Sequence, residues 1–566
     1  MIKNIFSRYS NRPASHVFFI LFPIVTAIAT NTHWGSFYYS HDVPKWLIIE
    51  IFISAFIFFN RDKVKVLPSY INTLFLLAIY WIATSLFWAE HIYAGVEFLL
   101  RFVLFGIAFS LLVKSYSQKQ RIQLVLLTSI LSACLFVIVF IAERWLEVPF
   151  DNGSFTPIGF TNNAGHIFNI WIPALIFFFL RNKQNPILVV ISALALVGIL
   201  YVLNISHIRT TIIALVMGSV ISVLLGIWKR FRTNAYKNKR MGRVGYVIIL
   251  LGLVSLMDNS ILPKSVSQSV AAIEAPLESY QPRLNMVRNS WDMLLDNPFG
   301  VGSNNFEFVH PEYAKAGTEL GSDYVNERQI LKTPHNFLAK VFTELGWIGG
   351  TLFIAIYLWV SWKALVLVWN QPHHDWIFIS VFAVLTHSLL SQVFLSPMSY
   401  LFSILLFASL MKTEPISETT QNVNHSRKWV LLILSIPVLS VTSVTSHFYH
   451  YQGMLQRDVE KLEKSVAIYP GNEVAWLDLA RMNFRDFQDL NSALWASEKF
   501  LSLNPHHIYG RYFYSQLLIY NRQCSQAVKT LSGLLNHYPS YTDANALMGK
   551  ALECRAREQA KRSVIH

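Results

Sequence analysis

Apolar runs of roughly membrane-spanning length alternate with short polar loops over most of the chain. Thirteen such runs occur, near 17–30, 44–59, 69–88, 95–113, 122–142, 164–180, 186–204, 208–228, 244–257, 345–362, 376–396, 398–411 and 429–446. A bilayer core takes about 20 helical residues, so the shorter runs must borrow from their flanks. The loops test the pattern. Every second one is basic: the N-terminus, Arg61/Lys63/Lys65, Lys114/Lys119/Arg121, Arg181/Lys183, the cluster from Lys229 to Arg243, Lys363, and Lys412/Arg427/Lys428. The intervening loops carry His41/Asp42, Glu90/His91, Glu143/Glu147/Asp151 and a long stretch from Asp258 to Thr333. Cationic loops stay in the cytoplasm, so the N-terminus is predicted inside, with the long loop and everything after the thirteenth run outside. No clear small-residue cleavage site follows the first run, which therefore reads as a retained anchor.

Two extramembrane parts follow. In the long loop, Leu284, Val287, Trp291 and Leu294/Leu295 recur at helical spacing, and Asn297-Pro298 stops that helix. In the tail, Tyr469-Pro470, Asn504-Pro505 and Tyr538-Pro539 recur at steps of 35 and 34 residues, and Ala493 is matched by Ala527. The tail resembles tetratricopeptide repeats, whose helix pairs stack because none can bury its apolar face alone. Such domains dock protein partners. The expected fold is all-α: a polytopic membrane protein of about 12–13 transmembrane helices with a large periplasmic loop and a C-terminal helical-repeat domain. Its parts would be helices one to nine over 1–257, the loop over 258–334, helices ten to thirteen over 335–446, and the repeats over 447–566.

Composition agrees. The 566 residues are 53% hydrophobic and 14% charged, with 41 Phe and 16 Trp. A formal charge of +14 could suggest nucleic acid, but the cations cluster at the ends of apolar runs, where topology explains them. Of three cysteines, none has metal-ligand spacing, and a Cys524–Cys554 disulfide is open.

The candidate chemistry gathers on the outer side. In Lys332-Thr333-Pro334-His335-Asn336-Phe337 an imidazole stands where a polar loop meets an apolar helix. Histidine titrates near neutral pH and could take a proton from a hydroxyl, or it could simply cap the helix. Arg209 opens the eighth run, as a headgroup anchor or a ligand. Arg283 opens the loop helix, and Arg288, five residues on, lies on a somewhat different face. Gly300-Val301-Gly302 permits a tight turn whose amides could approach an anion, or only a turn. Arginine's planar fork suits phosphate oxygens. A lipid-linked phosphate or diphosphate, with a histidine positioned to deprotonate an acceptor hydroxyl, amounts to glycosyl transfer. His166, His310 and His387 read as satisfied or solvated side chains, and Glu50, Glu97 and Arg101 as the main charges inside apolar runs.

Arg283 with Pro298 fifteen residues on, Gly300-Val301-Gly302, Phe306, Pro334-His335-Asn336 and Glu344-Leu345-Gly346 together resemble the superfamily of O-antigen ligases, O-antigen and exopolysaccharide polymerases and bacterial protein O-oligosaccharyltransferases. The resemblance spans runs six to eleven. It implies a glycan moved from undecaprenyl diphosphate to a lipid A core sugar or a protein hydroxyl at the periplasmic face of the bacterial inner membrane, with no metal, nucleotide or other cofactor. It casts His335 as the base or as a donor ligand, and Arg209 and Arg283 as diphosphate ligands, with Arg288 a third candidate. Asn163, in Gly159-Phe160-Thr161-Asn162-Asn163, resembles a cavity-lining asparagine; Gly300, Gly302, Asn336 and Glu344 are further candidates, with Glu344 alternatively paired to Lys340. Trp291 takes over the packing of a family tryptophan whose place is held by Val287. A polymerase of the same chemistry is the alternative. A transporter of lipid-linked sugars is less favoured, because few charges lie along the helices.

Overall fold

A computed structural model describes residues 13–31, 42–60, 69–145, 155–181, 185–206, 208–233, 244–249, 282–314, 331–412 and 426–565. Among these, the membrane part comprises α1 (Pro13–Asn31), α2 (Asp42–Phe59), α3 (Ser69–Ser85), α4 (Ile92–Ser115), α5 (Gln118–Trp145), α6 (Thr161–Arg181), α7 (Pro186–Ile205), α8 (Arg209–Thr233), the loop helix α9 over 282–296, α10 (Phe337–Asn370), α11 (Asp375–Ser388), α12 (Pro397–Ser409) and α13 (Ser426–Gln456). Six helices among the described residues are long and apolar enough to cross a bilayer. The chain is an all-α polytopic membrane protein. Its one described strand pair is a two-residue ladder, Phe155–Thr156 against Gly159–Phe160. Most of the ninth run, the first part of the long loop and the Lys237–Arg243 cluster lie outside the described residues.

The short α11 is the hub. It packs against α8, α6 and α10, and its residues are buried almost all round, which an amphipathic surface helix could not be. The predicted run over 376–396 is helical only to Ser388; residues 389–396 form a loop that brings Ser391 back to His166. Arg121 closes the C-terminal ends of α4 and α12: its guanidinium donates to the carbonyls of Val113, Tyr116, Ala408 and Met411. A buried cation at helix C-termini satisfies carbonyls that no amide reaches.

The charges inside the apolar runs pair with one another. Arg101 bonds Glu50 at 2.9 Å and Glu97 at 3.2 Å and lies 4.6 Å from the Trp46 ring centre, while Ser440 donates to Glu50. This cluster ties α2, α4 and α13 together, which accounts for charge that would otherwise be costly at that depth.

Helix α13 runs unbroken past the membrane to Gln456, so the boundary drawn at 447 falls inside a helix. It feeds α14 (Val459–Ile468), α15 (Glu473–Arg485), α16 (Leu490–Leu503), α17 (Ile508–Tyr520), α18 (Cys524–His537) and α19 (Thr542–Ile565). The helices stack in consecutive antiparallel pairs over one apolar core containing Ala493 and Ala527. The three recurrent prolines share a local bond. Six residues after each proline, a side chain donates back to the proline carbonyl: Trp476 to Pro470, Arg511 to Pro505 and Asn545 to Pro539, at 2.9, 2.6 and 2.8 Å. Cys524 and Cys554 form the disulfide.

This helical domain docks at the end of the bundle opposite the basic loops. His506 bonds Glu90 at 2.9 Å and Glu312 at 2.6 Å, Tyr538 donates to the Pro311 carbonyl, and Tyr469 donates to Glu97.

Candidate functional site

The site forms where α9 and the head of α10 meet the N-terminal ends of α6 and α8 and the C-terminal end of α11. Thr333-Pro334-His335-Asn336 makes a compact turn. Asn336 caps α10 by accepting from the Ala339 amide at 3.0 Å, and the His335 amide donates to Thr333 Oγ1 at 3.2 Å. Asn336 thus has the capping work, which frees His335 from it.

His335 sits at φ 51°, the left-handed region that costs an ordinary L residue roughly 1 kcal/mol or more and glycine almost nothing. The capped helix on one side and the proline on the other hold it there. Its imidazole is partly buried, and burial, reinforced by the nearby Arg283 guanidinium, holds its pKa down to about 4. At neutral pH the ring is uncharged and can accept a proton.

Arg283 acts electrostatically on both His335 and His387. It leans toward the buried face of α9, with Met286, Asn289, Ser290, Met293 and Leu294. Arg288 does not join it. Five residues turn a helix by about 140°, and Arg288 falls on the exposed stripe with Leu284, Trp291 and Leu295. Trp291 packs edge-on against Trp347, ring centres 5.5 Å apart, at the head of the spanning part of α10. Arg209 is exposed at the first residue of α8, while its neighbours Ile208 and Thr211 pack toward Gly165 and His387. His207, beside it, lies outside the described residues.

Below His335 lies a polar cluster that periodicity alone does not single out. His166 pairs with Ser391 at 2.9 Å, Asn169 with His387 at 2.7 Å, and the two imidazole centres are 4.9 Å apart. Both histidines are buried, each with one ring nitrogen paired, and they lie next to the site. Three buried atoms here, His166 Nδ1, Asn169 Oδ1 and Thr211 Oγ1, have no protein partner among the described residues. Orphaned polar atoms in one buried place mark a site for water or a substrate hydroxyl. The signal in the sequence was polar residues within apolar helices, at His166, Asn169 and His387. Asn163 lies one turn above His166, buried beside the hairpin at Gly159.

The glycine turn is an internal clamp. The Gly300 amide donates to Asn297 O, Val301 to Thr343 O at 2.9 Å, Gly302 to Glu344 O at 3.0 Å and Ser303 to Ser85 Oγ at 3.1 Å. Those donors are occupied, so the turn does not cradle an anion. Gly346, at φ 65° and ψ −166°, breaks α10 where the turn docks, and the Trp347 amide returns to Pro298 O. Glu344 is part of the same clamp: it pairs with Lys340 and accepts from the Phe306 amide. Gly300, Gly302, Asn336 and Glu344 therefore position α9 and α10, and with them Arg283 and His335.

The family model for O-antigen ligase matches residues 170–354. That stretch includes Arg209, Arg283, Arg288, Gly300, Gly302, His335, Asn336 and Glu344; Asn163 and the C-terminal helices lie beyond it. No curated protein matches the chain. The match supports a glycan-transferring membrane enzyme of the O-antigen ligase superfamily, acting on a lipid-linked glycan in a multi-pass membrane setting.

Proposed function

We propose that the protein transfers a glycan from an undecaprenyl-diphosphate carrier to an acceptor hydroxyl at the periplasmic face of the inner membrane. The observation that carries this reading is His335, uncharged and in a left-handed backbone conformation beside Arg283, within the stretch matched by the O-antigen ligase family model. Arg283, joined by Arg209, would hold the diphosphate oxygens as charge builds on the leaving group. His335 would take the acceptor proton as the acceptor oxygen bonds to the anomeric carbon and the bond from that carbon to the diphosphate breaks. The orphaned polar atoms of His166, Asn169 and Thr211 would fix substrate hydroxyls or water.

The alternation of basic loops and the Cys524–Cys554 disulfide, a bond of oxidising compartments, both favour a periplasmic C-terminal domain. That domain, with its 34- and 35-residue recurrence, resembles tetratricopeptide repeats and would dock a protein, either the acceptor or an assembly partner. The mutual pairing of Glu50, Glu97 and Arg101 favours catalysis over transport, since these charges hold the helices together.

Reconstitution with undecaprenyl-diphosphate glycan and separate acceptors tests the proposal. Transfer onto lipid A core or protein is expected. Products consisting only of longer lipid-linked chains would replace the ligase reading with the polymerase one.

A further inference from the structure

A concavity whose lining includes none of His335, Arg283 and Arg209 lies against the glycine clamp. It has a volume of about 550 Å³ and is bordered by Trp81, Trp88, Phe299, Glu90, Asp296 and Asn297. That volume lies within the range of roughly 300–1,000 Å³ usual for small-molecule sites. Three parts of the chain converge on it: the end of α3 with its outer loop, the C-terminal end of α9 with the clamp, and, through the bond from Glu90 to His506, the helical-repeat domain.

The walls are built. Trp81 is fixed by its indole N–H donating to the Leu345 carbonyl at 2.7 Å, and its ring centre lies 6.1 Å from that of Trp88 and 6.3 Å from that of Phe299. Asn297 is fixed by donating to Met293 O and to the Tyr313 hydroxyl. The floor is held by the clamp, whose Gly300 is packed so closely on Glu344 that no side chain fits.

The chemistry of the lining selects a ligand. Aromatic faces carry negative potential and attract partially positive hydrogens. The C–H face of a pyranose ring offers such hydrogens, while its hydroxyls donate to carboxylates and amides at the rim. Glu90 and Asp296 would repel a phosphate, so the lipid diphosphate does not belong here. We infer that this aromatic and carboxylate cleft is a glycan subsite that holds sugar units away from the reacting bond. The inference rests on the proposed glycan-transfer function for the identity of the sugar, but its residues are distinct from His335, Arg283 and Arg209. It would let the enzyme grip a multi-sugar chain at two points and so favour a long glycan over a single sugar.

The test uses the full-length protein in nanodiscs and, as probe, the oligosaccharide released by mild acid from the host's own lipid-linked glycan. Saturable binding is expected, weakened at least tenfold by Trp88→Ala and by Asp296→Asn, largely restored by Trp88→Phe, and unchanged by His335→Ala. No saturable binding to the wild type would overturn the subsite. So would binding that is lost in His335→Ala and intact in Trp88→Ala, which would place the sugar at the first site. Displacement of the probe by phosphoethanolamine at equal concentration would also overturn it, since the cleft would then be a headgroup cage. A transfer assay run alongside keeps the two ideas separate: Trp88-dependent binding without any glycan transfer refutes the enzymatic proposal and leaves the subsite standing.

Discussion

Gly346→Ala should damage the protein out of proportion to its one added methyl group. Gly346 has φ 65° and ψ −166°, a region that side-chain-bearing residues enter at a cost of about 1–3 kcal/mol. The new Cβ would lie 2.3 Å from Pro298 O and 2.4 Å from Phe299 C. These are backbone atoms, and moving them breaks the bond from the Trp347 amide to Pro298 O and strains that from Gly302 to Glu344 O. Each such bond is worth about 1 kcal/mol net, so the total loss is about 2–5 kcal/mol. The functional effect follows from position, because the clamp sets the end of α9 and α9 carries Arg283. A displacement on the order of 1 Å at a charged ligand can reduce turnover by about a hundredfold. Thermal unfolding in detergent and glycan transfer in liposomes read the two effects. Gly533→Ala is the control, since its added methyl meets nothing within 4 Å in α18, and it should be neutral or slightly stabilising. A Gly346→Ala protein that unfolds at the wild-type temperature and keeps wild-type transfer would refute the clamp.

Further outcomes follow from the same structure. His335 must be neutral to act as a base, and its pKa is near 4, so kcat/KM should hold level from neutral pH down to about pH 5 and fall below that. The kcat limb should sit higher, because a bound diphosphate stabilises the imidazolium; an acid limb at 6.5 in kcat/KM would contradict the burial and Arg283 effects. Arg283→Ala should weaken use of the diphosphate donor by tenfold or more and Arg283→Lys should only partly restore it, whereas Arg288→Ala, on the exposed stripe, should change it less than twofold in steady-state assays. Cys524→Ser removes a crosslink spanning 30 residues, which on chain-entropy grounds lowers the stability of the C-terminal domain by about 3–4 kcal/mol; limited proteolysis should then cut α18 and α19 first.

Much of the architecture was legible because it is written in patterns that sequence carries directly. The apolar runs marked α1 to α8 to within a few residues, and the recurrent prolines fall at three turns between helices, each with a side chain six residues on donating to the proline carbonyl. What escaped depends on contacts between distant residues. Gly300 and Gly302 look the same in sequence whether their amides face a ligand or a neighbouring helix; only the fold places Thr343 and Glu344 opposite them. His166 and His387 are 221 positions apart, the difference of their numbers, and become neighbours only through the packing of α6 on α11. Residues 376–396 form one apolar run, so nothing in the pattern marked the helix end at Ser388 or the returning loop that brings Ser391 to His166. His335 and Arg283 stood out in advance because each sits where a polar loop becomes a helix, a place that both pattern and motif mark.

The central claim is that His335 takes the acceptor proton. Its most direct test compares wild-type and His335→Ala protein in liposomes carrying undecaprenyl-diphosphate glycan and acceptor, with donor binding measured in the same preparation. The variant should bind donor within a few-fold of wild type and transfer glycan at least a hundredfold more slowly; transfer at the wild-type rate would show that His335 is not the base.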